Sequence, residues 1–227
     1  MITSKFFLLF LLFIFFINDS YSQFPNFRIH PSSNHQIEPA IVRHPTNPLI
    51  MFASSFTVFT SFRSEGIYVT TNGGVNWTGT DTCFGSPISN HGGDPGPIID
   101  KDGRFILTHQ GGFILGMWAN YSTNLGQTWS NNLLIAGNDQ DKGSPATDDV
   151  PTSPYYGRTS LVWTRFTSPF PIVTSYTSNG GANWSSVIQI NNSIAGHQSL
   201  GPVMVVGPSG KAYVSWASSI LTSPFNE

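Results

Sequence analysis

The sequence predicts an all-β fold, a β-propeller built from four-stranded antiparallel blades. Three observations predict it. A short motif occurs three times, as Thr70-Thr-Asn72-Gly-Gly74-Val-Asn-Trp77, Ser122-Thr-Asn124-Leu-Gly126-Gln-Thr-Trp129 and Thr177-Ser-Asn179-Gly-Gly181-Ala-Asn-Trp184. The copies start at 70, 122 and 177, and a period near fifty residues is that of propeller blades. A second repeat of paired strands lies between the copies. Charged residues are only 10% of the chain and aromatics 14%, with no amphipathic helical period.

The elements follow in order. Residues 1–22 read as a signal peptide: Lys5 is a lone cation, Phe6 to Ile17 is unbroken apolar sequence, and Ser20 and Ser22 precede a polar stretch. The apolar run is short for a membrane span, although an uncleaved anchor is the alternative. Residues 23–227 carry the blades. Blade one opens with Glu38-Pro39-Ala-Ile-Val42, turns at Asn47-Pro48, and returns through Leu49-Ile-Met-Phe-Ala53 and Gly66-Ile-Tyr-Val69.

Blade two repeats this as Asp94-Pro95-Gly-Pro-Ile-Ile99, the turn Asp102-Gly103, Gly103-Arg-Phe-Ile-Leu-Thr108 and Met117-Trp-Ala-Asn-Tyr121. Blade three gives Asp141-Lys-Gly-Ser-Pro145, then after an insertion Arg158-Thr-Ser-Leu-Val-Trp163 and Ile172-Val-Thr-Ser-Tyr176. A fourth unit begins with Gly201-Pro202-Val-Met-Val-Val206, turns at Ser209-Gly210 and continues through Lys211-Ala-Tyr-Val-Ser-Trp216. The chain thus holds about three and a half blades. An open propeller leaves an unpaired edge. The sequence reads as the N-terminal fragment of a longer protein, or as a small propeller completed by another chain.

The motif has a physical reason at each position. Gly accepts positive φ, and Asn bonds backbone nearby, so the pair supplies a tight reversal. The Trp folds back over the turn as an apolar plug. Each hairpin should then need little help from its neighbours, lie at the outer rim and hold a largely buried Trp. Identical turns in every blade cannot all line one site, so their role is structural.

These residues resemble the Asp-box, or BNR repeat, of sialidase-like β-propellers. Asn stands where that family most often has Asp, which keeps the acceptor oxygen and loses the charge. The resemblance implies six blades when complete. It also implies a pocket of three Arg residues for a substrate carboxylate, an Asp acid/base, and a Tyr paired with a Glu. Sialidases are exceptions to the usual two-carboxylate rule of glycoside hydrolysis. Phe27-Arg28-Ile29-His30 resembles the family's Arg-Ile-Pro motif, with His for Pro, making Arg28 a candidate for grasping an acidic sugar. The blade repeat competes, aligning Ile37-Glu38-Pro39-Ala40 with the same strand. Arg43 and Arg63 are candidates for the second Arg.

The repeat itself suggests another constellation. Glu38, Asp94 and Asp141 each stand at the start of a blade's innermost strand, so they converge near the axis. His91 precedes Asp94 by three residues, as His35 precedes Glu38; His197 and Gln198 take the corresponding place in the fourth unit. Such groups suit a metal or sugar hydroxyls, or they bond backbone amides at the strand starts. Asp94 is the leading catalytic candidate, with Glu38; His91 and Asp141 are candidate substrate contacts. No cofactor is expected, and a structural Ca2+ is left open.

Composition bounds the partners. The net charge of −2 gives no basic footprint for nucleic acid. The single cysteine, Cys83, excludes an internal disulfide, and a buried thiol is expected. Glycosylation sequons stand at Asn76, Asn120, Asn183 and Asn191. The expected protein is secreted and acts on or binds a glycan or glycoprotein. It is either a sialidase-type glycoside hydrolase or a non-catalytic binding propeller, since propellers host many functions.

Overall fold

The computed structural model describes residues 26–59, 63–83, 91–112 and 115–220; the segment read as a signal peptide lies outside them. The described regular structure is β-strand, apart from a single 3-10 residue at 112. Unit one comprises β1 (His35–Arg43), β2 (Met51–Val58), β3 (Arg63–Glu65), β4 (Ile67–Thr70) and β5 (Thr78–Thr80). Its antiparallel order is β1-β2-β4-β5, with β3 on the end of β2. Unit two comprises β6 (His91–Ile99), β7 (Phe105–Gly111), β8 (Leu115–Ser122) and the first part of β9 (Leu133–Thr147). Unit three takes the rest of β9 with β10 (Thr159–Arg165), β11 (Ile172–Thr177) and β12 (Ile188–Gln189). β13 (His197–Val206) and β14 (Ala212–Ile220) form the last sheet.

β9 corrects an expectation. The sequence suggests separate strands after Trp129 and from Asp141, but the chain runs through both. Residues from Leu133 to Asp139 pair with β8, and Gln140 to Thr147 pair with β10. Positive φ at Asn138 and Lys142 bends the strand, so it leaves one sheet's outer edge and becomes the next sheet's inner edge without a loop.

The cores lie between units rather than within them. Phe52, Ile67 and Val69 of unit one pack with Ile99, Phe105 and Leu107 of unit two. The Phe52 and Phe105 rings stack with centroids 4.9 Å apart. Met117 of unit two meets Leu161, Trp163 and Val173 of unit three. Each such side chain contributes about 1.5–3 kcal/mol on burial. Face-to-face packing also explains β2, which is buried along nearly its whole length, on both faces.

The three Thr/Ser-Asn-Gly turns are built alike. In the first, Thr70 Oγ1 donates to Asn72 Oδ1 (3.0 Å) and accepts from the Gly74 amide (3.0 Å), while Asn72 Oδ1 also accepts from the Asn76 amide (2.9 Å). The same three bonds recur at Ser122, Asn124, Gly126 and Thr128, and at Thr177, Asn179, Gly181 and Asn183. Only the acceptor oxygen of Asn is needed at the recurring bonds.

One expectation about these turns is corrected. They rely on their neighbours more than expected, because the second and third pack on the preceding unit. A Cβ at Gly126 would lie 3.2 Å from Ile67, and one at Gly181 would lie 3.3 Å from Tyr121. Their tryptophans are partly buried, with a minority of each side chain exposed. Trp129 and Trp184 flank the two core clusters, whereas Trp77 belongs to neither. The first turn has no preceding unit among the described residues to cover it.

Candidate functional site

The inner strands share an irregularity at the same place, and β6 has a second register shift just before it, between His91 and Gly93. The pairing register shifts between Ile37 and Ala40, between Gly93 and Gly96, within β9 opposite Val162 to Thr164, and between Leu200 and Val203. At each shift one residue adopts left-handed backbone: Glu38 (φ 55°), Asp94 (φ 53°), Lys142 (φ 55°) and Gly201 (φ 59°). Pro39, Pro95 and Pro202 follow three of them, and Gly143 the other. A residue without an N–H suits a bulge, where the ladder is interrupted.

These four bulges surround one open cavity of about 340 Å³, lined by β1, β6, β9 and β13. Its charged lining residues are Glu38, Asp94 and Lys142. They are linked in sequence around it. Glu38 Oε2 accepts from the Asp94 amide at 2.8 Å. Asp94 Oδ2 accepts from the Lys142 amide at 3.1 Å, and Lys142 Nζ donates to Asp94 Oδ1 at 2.9 Å. The Lys142 ammonium is held above its ordinary value, first by that bond to Asp94. Each carboxylate therefore bonds the equivalent amide of the next unit.

The expected trio is corrected at its third member. The equivalent of Glu38 and Asp94 is Lys142, one residue past Asp141, because β9 enters unit three as a continuous strand. The Asp141 carboxylate instead accepts from Gln110 Nε2 of unit two, at 2.7 Å. The missed signal was Lys142-Gly143, which matches the Glu38-Pro39 and Asp94-Pro95 pattern of bulge residue then strand-breaker.

His91 is also not at the cavity. It is buried between units one and two, where its ring stacks on His109 at 4.3 Å and its Nδ1 accepts from the Glu65 amide at 3.0 Å. Burial, then the neighbouring His109, lowers His91 from 6.5 to about 2. Glu65 is fully buried, and neither carboxyl oxygen has a hydrogen-bond partner of good geometry. Burial, with Glu38 and Asp94 nearby, pushes it well above the ordinary carboxylate range; the Gly93 amide offsets this only in part. His109 is lowered by burial, although its Nδ1 faces Gln110 O at 2.8 Å and a ring nitrogen faces Asn120 Oδ1 at 3.1 Å.

Glu65, His91 and His109 bring metal-ligating atoms within 4.8 Å of one another. Their geometry does not suit a shared cation. The imidazoles are stacked at 14° with centroids 4.3 Å apart, so their lone pairs lie in two nearly parallel, offset planes and do not converge on one point. Sequence reasoning missed Glu65 and His109, since neither belongs to the repeated motif.

Arg28 lies before β1, exposed, and is not among the cavity's lining residues. Nearby His30 packs on Tyr68, its ring tilted by 35° with centroids 5.0 Å apart, and approaches Asp81 at 3.3 Å. β1 holds Glu38-Pro39, not Arg28, so the blade-repeat alignment is the one the fold adopts. Arg43 and Arg63 are exposed at strand ends. Among the sequons, Asn120 is buried and donates to Ser130 O, so the folded protein cannot carry a glycan there. Cys83 is half-buried beside the first core cluster.

No family profile matches the sequence, and no curated protein matches it. Solved structures do resemble it. The leech intramolecular trans-sialidase, complexed with 2,7-anhydro-Neu5Ac, aligns with a TM-score of 0.62 at 11% identity, over 86% of this chain and 51% of that one. A protein of unknown function from Dyadobacter fermentans gives 0.61 at 14%, over 85% and 64%. The Hadza microbial sialidase Hz136 gives 0.57 at 13%, over 81% and 44%. This chain thus spans between 44% and 64% of these structures' lengths. The likeness is one of fold: antiparallel sheets arranged as in propeller glycosidases.

Proposed function

We propose that this chain is the N-terminal part of a secreted, sialidase-like propeller that acts on glycans through the cavity between its inner strands. In this reading units one to three are complete blades, β13 and β14 are the inner half of a fourth, and six blades close the ring. The observation that carries the reading is the convergence of Glu38, Asp94 and Lys142 from three successive inner strands on one cavity. Two carboxylates and a cation in a concave site suit sugar hydroxyls. The resemblance of the fold to a trans-sialidase and a sialidase supports a glycan as the ligand class. Asp94 is the proposed acid/base; Arg28 lies outside the cavity's lining, so its proposed contact with an acidic sugar is to a part of the ligand beyond the cavity.

A second reading, a non-catalytic glycan-binding propeller, is favoured by one observation. Oxygens of both carboxylates are already engaged by amides of the neighbouring unit. Neither Arg nor Tyr is among the residues lining the cavity, so sialidase chemistry would draw those groups from elsewhere.

Hydrolysis of fluorogenic sialosides and neutral glycosides separates the readings. Turnover that is lost in Asp94→Asn and weakened in Arg28→Ala supports the hydrolase. Absence of turnover, with saturable glycan binding lost in Lys142→Ala, supports the binding protein. Turnover unchanged in all these variants places the active site outside this cavity.

A further inference from the structure

We infer that a pocket between units two and three, separate from the inner-strand cavity, binds a ring-sized organic carboxylate through Arg165. It rests on the pocket's own residues and not on the glycan reading. The pocket has a volume of about 390 Å³, within the range of small-molecule sites, and shares no lining residue with the inner-strand cavity. Units two and three, which enclose it, each have all four strands.

Arg165 is the exception within a repeat. β2, β7, β10 and β14 start in the same register, each opposite the last residue of its inner strand: Arg43, Ile99, Thr147 and Val206. Arg165 is the seventh residue of β10, and the seventh residues of the other three strands are Thr57, Gly111 and Ser218. The blade architecture therefore does not require a cation at this place. Arg104 and Arg158, which precede β7 and β10, are engaged by contrast, Arg104 with turn carbonyls and Arg158 with tyrosine rings. The Arg165 guanidinium makes no hydrogen bond, ion pair or ring contact among the described residues. No acidic side chain lines the pocket. Asp139, on the adjoining strand β9, is exposed and forms no ion pair with Arg165.

The walls are fixed before any ligand arrives. The Phe166 amide donates to Asp139 O at 2.9 Å, which ties the β10–β11 loop to β9. Within the loop the Arg165 amide donates to Pro171 O at 3.0 Å, and the Phe170 amide to Thr167 O at 2.8 Å. Gln140 is buried at the base, where its Nε2 donates to the Gly137 carbonyl at 2.7 Å and its Oε1 accepts from the Trp163 indole. Such a pre-organised site loses little affinity to ordering on binding.

The lining selects the ligand. A planar carboxylate matches the fork of guanidinium donors. Thr167 adds a hydroxyl and Asn138 an amide, which suit ring hydroxyls, and Ala136 and Val187 give an apolar wall for ring carbons. Gly137 leaves the room, since a Cβ there would meet nothing within 4 Å.

The probe is D-glucuronic acid, with glucose as the neutral control, titrated into the protein and followed by saturation-transfer NMR. Glucuronic acid should bind saturably, and glucose at least about tenfold more weakly, because it lacks the charge-assisted pair. Arg165→Ala should lower the affinity for glucuronic acid at least about tenfold. Gly137→Val should do the same by occupying the pocket, and it tests the site independently because its side chain enters open space without displacing the fold. Lys142→Ala, in the other cavity, should leave the affinity unchanged. Absence of binding, equal binding of glucose, or an affinity unmoved by both pocket variants overturns the inference. So does binding lost in Lys142→Ala and kept in Arg165→Ala, since the carboxylate would then sit in the inner-strand cavity.

Discussion

The Glu38 carboxylate accepts the Asp94 amide at 2.8 Å, across the boundary between two sheets. Asp94 repeats this toward Lys142 and adds an ion pair. Strand bulges that re-aim side chains into a cavity thereby also tie successive units together. The same two carboxylates are candidates for chemistry and parts of the scaffold.

That double role sets an order of stabilities. Asp94→Ala removes a charge-assisted bond and the Lys142 pair at a site where the carboxylate is largely shielded, and should cost about 1.5–3 kcal/mol. Glu38→Ala, at an exposed position, should cost about 0.5–1.5 kcal/mol. Glu38→Gln keeps an acceptor and should stay near wild type. Urea denaturation measures all three. A Glu38→Gln protein as unstable as Glu38→Ala would mean that the acceptor bond is not what the side chain supplies.

Much of this was legible in the sequence. The Asn-Gly turns and the paired strands repeat residue types with strict local requirements, so strand identity and order followed. The bulge residues Glu38 and Asp94 were visible because Pro follows each. Lys142 was not, because Gly143 replaces the Pro and an acidic neighbour, Asp141, imitates the pattern one residue early. Burial between units was illegible for a different reason. Glu65 meets the two imidazoles through sheet-on-sheet packing, and His91 meets His109 across the paired strands β6 and β7, which leaves no local spacing to read.

The buried cluster predicts a stability optimum in pH. Glu65 has a folded value well above its ordinary 4.5, so the folded state binds an extra proton above that pH. Its contribution is present at low pH and is lost as pH rises through the raised value. His91 and His109 are lowered from 6.5, so they favour folding above 6.5 and that benefit fades as pH falls. The imidazoles therefore take stability away as pH falls below 6.5, and Glu65 takes it away as pH rises through its raised value, so stability should decline toward both acid and alkali. Denaturation curves across pH should show that alkaline decline flattened in Glu65→Gln. An unchanged slope in that variant would assign the decline to other groups.

The tryptophans should differ although their motif is the same. Trp129 packs on Phe52 of the preceding unit with ring centroids 5.7 Å apart, so Trp129→Ala should cost about 3 kcal/mol, the lower end for a large aromatic because it is half-buried. Trp77 joins neither core cluster, and Trp77→Ala should cost roughly 1 kcal/mol, near the mean for point substitutions. Equal losses would place the stabilisation in the hairpin itself and not in contacts between units.

Gly201 tests whether the bulge is a backbone device shared by all four inner strands. Its φ of 59° matches the values at Glu38, Asp94 and Lys142, which show that L-residues take this conformation here. A Cβ at Gly201 would meet nothing within 4 Å. Asn tolerates left-handed backbone through local hydrogen bonding, while a β-branched side chain does not. Replacing Gly also narrows the unfolded ensemble, worth about 0.4–1 kcal/mol when the native geometry is compatible. Gly201→Asn should thus be neutral or slightly stabilising, and Gly201→Val should be destabilising. Gly93 is the contrast within the same bulge region. Its φ is 109°, and a Cβ there would lie 2.6 Å from Glu38 Oε2. Gly93→Asn should destabilise strongly where Gly201→Asn does not. Thermal melts of the three variants decide it: if Gly201→Asn falls as far as Gly201→Val, the fourth strand does not use the bulge as the first three do.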